Sequence, residues 1–255
     1  MVKVYKYQET AKLASELGEF IVKKQNEVLA TKARFDLAIS GGSLVDVLYT
    51  CLVEDKLLAS KIRWDKWNVF FCDERIVQLD HEDSNYGGFK KAVLDKLPKD
   101  VQESIVVFPL NTSLIKNGSV QENESIAADH ARCLPSAGGF DLLLLGCGPD
   151  GHTCSLFPDA EHEYLLKETE KKVIHCHDSP KPPSDRITIT LPVIAATKSV
   201  AFVAEGASKQ AIMHEIFDLK NEKLPTYLIN KLYDARVSWF VNDEAFATVQ
   251  TNEYF

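Results

Sequence analysis

Long apolar runs are missing from this 255-residue chain, and with them any segment long enough for a membrane-spanning helix. Basic residues are in deficit: 29 lysines and arginines against 37 aspartates and glutamates leave a formal net charge of −8. A broad nucleic-acid surface, whose affinity comes from basic patches, is therefore not expected. Any anionic ligand has to be met by a few local cations. The six cysteines, Cys51, Cys72, Cys133, Cys147, Cys154 and Cys176, include no C-x-x-C pair, and several sit inside apolar runs. That pattern predicts buried free thiols in a reducing compartment rather than disulfides or zinc. Neither a P-loop nor a G-x-S-x-G elbow occurs, which removes the P-loop nucleotide and serine-hydrolase readings. Low-complexity linkers and repeats are also lacking. The opening residues, MVKVYKYQET, carry neither an apolar signal region nor an Arg-rich presequence. The expectation is a cytoplasmic protein with no membrane or nucleic-acid partner, folded as one domain over residues 1–255.

What is present is an alternation of short apolar runs and helical patterns. Helical spacing runs from Gln8 to Thr31, Leu44 to Val53, Asn85 to Leu97, Val120 to Leu134 and Lys209 to Leu219. Strand candidates are Phe35–Ile39, Val69–Cys72, Ile105–Phe108, Leu142–Leu145, Val173–His177, Ile187–Leu191, Val200–Ala204 and Val237–Val241. Strands alternating with helices predict an α/β fold with a largely parallel sheet covered on both faces. In such sheets ligands bind outside the carboxyl ends of the strands.

The loops after those strands hold the candidate chemistry. In DLLLLGCGPDGHTCSLFP, Asp141 to Pro158, a buried strand ends in a glycine-rich loop presenting Asp150 and His152, a carboxylate beside a base. The literal G-x-G-x-x-G at Gly146, Gly148 and Gly151 is not read as a dinucleotide motif: it lies mid-chain, and Asp150 would repel a pyrophosphate. Ser40-Gly41-Gly42-Ser43 is either a ready anion loop or a tight turn with Ser43 as a helix cap. Asp73-Glu74-Arg75 follows an apolar strand, so its charges need partners, in an ion-pair cluster or in a cleft. A proline-rich stretch reaches Arg186, and Glu205-Gly206 leads to Lys209; together these offer two cations suited to a phosphate dianion. His175 and His177 share a strand face but lack a third metal ligand at convincing spacing.

Taken together, these motifs resemble the 6-phosphogluconolactonase family. The carriers are Ser40-Gly41-Gly42-Ser43, Asp73-Glu74-Arg75 with Ser84-Asn85-Tyr86, the Gly146 to Pro158 loop, the proline-rich run into Arg186-Ile187-Thr188, and Glu205-Gly206 with Lys209. The resemblance covers nearly the whole chain, in order; Cys154 departs from it, standing where the family often has alanine. It implies a Rossmann-like three-layer α/β/α sandwich, similar to glucosamine-6-phosphate deaminase and ribose-5-phosphate isomerase. It also implies hydrolysis of 6-phospho-D-glucono-1,5-lactone to 6-phospho-D-gluconate, the second step of the oxidative pentose phosphate pathway, with no metal or organic cofactor. On this reading His152 is the general base, Asp150 or Asp73 orients it, and Arg75 or backbone amides stabilise the oxyanion. Gly41, Gly42 and Ser43 hold the phosphate, clamped by Arg186 and Lys209. The protein would be a monomer or homodimer. The alternatives are a sugar-phosphate isomerase or deaminase on the same fold and a non-catalytic binding paralogue.

Overall fold

Among the described residues, ten strands organise the chain. The computed structural model describes residues 1–136 and 138–254, with β1 (Lys3–Tyr7), β2 (Phe35–Ile39), β3 (Trp67–Phe71), β4 (Asp73–Arg75), β5 (Val106–Phe108), β6 (Leu142–Gly146), β7 (Val173–Cys176), β8 (Arg186–Ile189), β9 (Val200–Ala204) and β10 (Val237–Asn242). Seven form one parallel sheet in the order β1-β10-β9-β6-β2-β3-β5. The central strands are apolar because helices cover both faces, and side-chain alternation splits each run between two cores. Leu142 and Leu144 of β6 join Leu37 and Ile39 on one face, while Leu143 and Leu145 join Ala38 and Phe202 on the other.

Successive strands leave the centre in opposite directions: β2, β3 and β5 to one side, β6, β9 and β10 to the other. The reversal falls between β2 and β6, and a crevice at their carboxyl ends follows from it. Ser40, directly after β2, donates its amide to Leu144 of β6 at 2.9 Å, which binds the two loops at this point.

The parallel sheet does not take every strand. β4, β8 and β7 form a separate antiparallel sheet, in that order, so Val173–Cys176 and Arg186–Ile189 lie outside the expected parallel arrangement. The chain passes from one sheet to the other at Cys72, between Phe71 and Asp73. Several elements escape the sequence pattern, among them edge strand β1, strand β4 and the helices Lys99–Ser104, Glu163–Lys167, Leu191–Ala196 and Pro225–Tyr233. The cysteines are all free, but Cys133 is exposed, because it closes the outer face of the helix Val120–Cys133. Among the described residues no helix is long and apolar enough to cross a membrane.

Candidate active site

The loops after β2, β6 and β9, with β4 and β8 of the small sheet, enclose a cavity of about 240 Å³. Of the expected site residues, Gly41, Gly42, Ser43, Asp73, Arg75, His152, Arg186 and Lys209 all line it. Asp150 does not; it stands behind His152, its Oδ1 2.5 Å from the imidazole Nδ1. Nδ1 is thereby engaged, and among the described residues Nε2 has no hydrogen-bond partner. The imidazole rests against Phe157, with ring centroids 5.0 Å apart. Burial pushes the Asp150 carboxyl up, but the His152 hydrogen bond and charge, with the Lys181 ammonium, outweigh it and hold the group well below the usual carboxylate range.

Asp73 does not touch His152. Its Oδ2 accepts from Ser155 Oγ at 2.8 Å, and Asn85 Nδ2 donates to its carbonyl at 2.8 Å. The carboxylate partner of the imidazole is therefore Asp150. Glu74, the next residue, turns the other way and is fully buried. Its carboxylate accepts from Ser84 Oγ and the amides of Asn85 and Tyr86, closing the start of the helix Asn85–Ala92. Burial raises the Glu74 carboxyl to about 7 despite those three donors. Of the two alternatives for the Asp73-Glu74-Arg75 triplet, the cleft holds for Asp73 and Arg75, while Glu74 is satisfied by a hydroxyl and two amides rather than by an ion pair.

The cations converge. Arg75 of β4 lies directly opposite Arg186 of β8. Opposed residues of an antiparallel pair share a face, and like charges there repel. Burial and the Arg75 guanidinium both pull Arg186 below the usual arginine value. Nε of Arg75 is buried without a partner among the described residues. Arg186 also braces the proline-rich loop, its Nε donating to the Pro183 carbonyl at 3.0 Å and its Nη2 to those of Lys181 and Pro182 at 2.9 and 3.1 Å. Lys209 ends the short 3₁₀ turn Ala207–Lys209 and has no ion-pair partner among the described residues.

Backbone geometry fits the two glycine loops. A β-carbon on Gly41 would overlap the Asn85 amide, and Gly42 adopts φ +72°, which glycine alone takes at little cost. Ser43 makes no side-chain cap to the following helix, so its hydroxyl is not consumed there. Two thiols also line the cavity, Cys147 and Cys154. Burial pushes Cys147 up to about 12, which keeps it protonated and a poor nucleophile. His175 and His177 are engaged elsewhere, with Asp185 and stacked on Tyr164. Among the described residues, no group of three or more His, Cys, Asp or Glu side chains is placed to hold a metal ion.

Sequence reasoning passed over three contributors. Lys181 brings its Nζ within 2.9 Å of His152 Nδ1 and 3.3 Å of Asp150 Oδ1. Ser155 fixes Asp73, and Glu205 lines the cavity with one carboxylate oxygen buried and unpartnered among the described residues. Proline density marked the Lys181 loop as irregular, but nothing local indicated which side chain it delivers.

A largely parallel α/β sheet with a carboxylate–imidazole pair and several cations in the crevice at its switch point defines a Rossmann-like α/β protein with a candidate site for an anionic ligand. The sequence model described as "Glucosamine-6-phosphate isomerases/6-phosphogluconolactonase" matches residues 8–239, and the chain belongs to that family. It is 58% identical over 254 residues to 6-phosphogluconolactonase 3 of Saccharomyces cerevisiae, covering all of both chains. A 6-phosphogluconolactonase structure from Trypanosoma cruzi superposes with a TM-score of 0.80 at 23% identity, over 98% of each chain. A monomeric glucosamine-6-phosphate deaminase superposes at 0.75 with 16% identity, over 96% and 99% of the two chains. At those two identities the likeness is one of fold.

Proposed function

We propose that this chain is a 6-phosphogluconolactonase, hydrolysing 6-phospho-D-glucono-1,5-lactone to 6-phospho-D-gluconate, with His152 as general base. The observation that carries this reading is the His152–Asp150 pair, which leaves Nε2 free beside a cavity lined by Arg75, Arg186 and Lys209. In the proposed reaction a water attacks the lactone carbonyl carbon and gives its proton to Nε2. Asp150 steadies the imidazolium that forms. The carbonyl oxygen becomes an oxyanion, stabilised by Arg75 or by amides of the glycine loops. Collapse breaks the bond to the ring oxygen, which leaves and takes the proton back from Nε2. The phosphate sits on Gly41, Gly42 and Ser43, met by Arg186 and Lys209. Like-charged Arg75 and Arg186, opposed across β4 and β8, are relieved by a bound anion, and this supports placing a phosphorylated ligand between them. The enzyme would work in the cytoplasm on a soluble substrate, as a monomer or homodimer without nucleic-acid or membrane partners.

The test follows lactone generated freshly from glucose 6-phosphate and measures its disappearance above the spontaneous rate. Wild type should accelerate it and His152→Ala should not. Wild-type protein that leaves the spontaneous rate unchanged, or that converts glucosamine 6-phosphate or ribose 5-phosphate instead, overturns the assignment.

A further inference from the structure

Three groups meet at one nitrogen. Nδ1 of His152 has a single in-plane site, either an N–H or a lone pair. Asp150 Oδ1 lies 2.5 Å from it and Lys181 Nζ 2.9 Å from it, with Lys181 Nζ also 3.3 Å from Asp150 Oδ1. An ammonium can only donate and an ionised carboxylate can only accept. Were Nδ1 to accept from Lys181, its lone pair would be spent and the carboxylate would face it acceptor to acceptor. The arrangement that satisfies all three has Nδ1–H donating to Asp150 and the ammonium resting on the same carboxylate. Nε2 is then the unprotonated nitrogen.

We propose that Lys181 is a positioning residue for His152: docked on Asp150, its ammonium fixes the proton on Nδ1 and opposes protonation of Nε2. The inference rests on the reading of His152 as the base. A carboxylate beside an imidazole favours the charged ring, and a cation beside it disfavours it. Asp150 favours the imidazolium; the Lys181 ammonium opposes it. Among the described residues no other charged side chain makes a hydrogen bond or ion pair to the ring. Arg186 lies over the ring of Phe157, 5.8 Å from its centroid, the same ring against which the imidazole rests. Asp73 is bound by Ser155 and Asn85, while Arg75, Glu205 and Lys209 belong to the cavity wall.

The ammonium is delivered by backbone, not by its own contacts. The Lys181 carbonyl accepts from Arg186, its amide donates to Ser179 Oγ, and Ser179 and Ser184 bond across the loop. Substituting the side chain therefore leaves the loop anchored.

The experiment pairs the pH profile of kcat/KM with a ¹⁵N–¹H titration of the His152 imidazole, its signals assigned against His152→Gln. Wild type should show the Nδ1–H tautomer. Lys181→Met and Lys181→Gln should raise both the imidazole midpoint and the acid limb of kcat/KM by roughly one pH unit, with KM changed less than about threefold. Lys181→Arg, which keeps the charge, should return both towards wild type. Titrations of the Met and Gln variants that superimpose on wild type overturn the proposal, whatever happens to the rate. The imidazole titration needs no turnover, so an inactive wild type would sink the lactonase reading and still leave this one decided.

Discussion

A β-carbon added to Gly148 would overlap the imidazole of His152 at Nδ1 and Cε1. The glycine leaves the space in which Asp150 and His152 meet. Gly148→Ala must push the ring off its carboxylate, and a displacement of about 1 Å at a reacting group costs on the order of 10²-fold. Steady-state kinetics on the lactone should show kcat reduced by about that much with KM little changed. A kcat within threefold of wild type would mean that the ring is not held where its base role needs it.

Asp150 is held below the usual carboxylate range and therefore stays ionised through the neutral region, so the acid limb of the pH profile should report His152. Asp150→Asn removes the negative charge that favours the imidazolium. The sign is opposite to that of losing Lys181: the acid limb should move to lower pH. With the orienting acceptor gone, kcat should fall by about 10²-fold or more. An acid limb that stays in place or rises would separate Asp150 from the titration of the base.

Arg186 and Lys209 both line the cavity, yet they should fail differently. Among the described residues the Lys209 ammonium has no hydrogen-bond or ion-pair partner to lose, so Lys209→Ala should raise KM for the phosphorylated lactone about tenfold or more, with kcat nearly intact. Arg186 also ties down the carbonyls of Lys181, Pro182 and Pro183. Arg186→Ala should raise KM and lower kcat together, because the Lys181 loop loses its anchor. Separate kcat and KM measurements decide this; an effect of Arg186→Ala on KM alone would show that the loop holds without it.

Much of the cleft was legible because its signals are local. Leu142 to Leu145 reads as a buried strand closed by the glycines that follow, and the strand runs one residue further, to Gly146. Asp73 to Arg75 did not read as a strand, since three consecutive charges contradict any apolar pattern. It becomes one because partners distant in sequence satisfy it: Ser84 and Asn85 for Glu74, Ser155 for Asp73, and β8 for the backbone. β1 was hidden for a related reason, its partner β10 being at the other end of the chain. The choice between Asp73 and Asp150 as orienter was open in the sequence, because both carboxylates follow strands that end at one cleft. The Asp150 contact to His152 Nδ1, with Ser155 and Asn85 placed on Asp73, separates them. Lys181 was invisible as a contributor, because its position depends on three carbonyl contacts to Arg186.

Asp141 lies at the opposite end of β6 from the cavity, and its substitution should touch stability without touching catalysis. The carboxylate is buried; it accepts from Lys32 Nζ at 2.7 Å, Lys198 Nζ at 2.9 Å and the Asp36 amide at 2.9 Å. Burial raises its pKa, but Lys32, the Asp36 amide and Lys198 together bring it below the ordinary 3.8. A depressed folded value means stability that is present above the unfolded pKa and lost as pH falls through the folded one. The lysines are 39% and 64% exposed, so solvent screening trims their contribution. Asp141→Asn should therefore cost about 1–2 kcal/mol at pH 7, lowering Tm by roughly 3–6 °C in a chain of this size. Below pH 4 the variant should lose stability less steeply than wild type, so the two melting curves converge. Thermal melts at pH 7 and pH 3, with kcat measured at pH 7, check all three statements. An unchanged Tm at pH 7, or a gap that widens in acid, would show that the Lys32–Asp141–Lys198 cluster does not stabilise the fold.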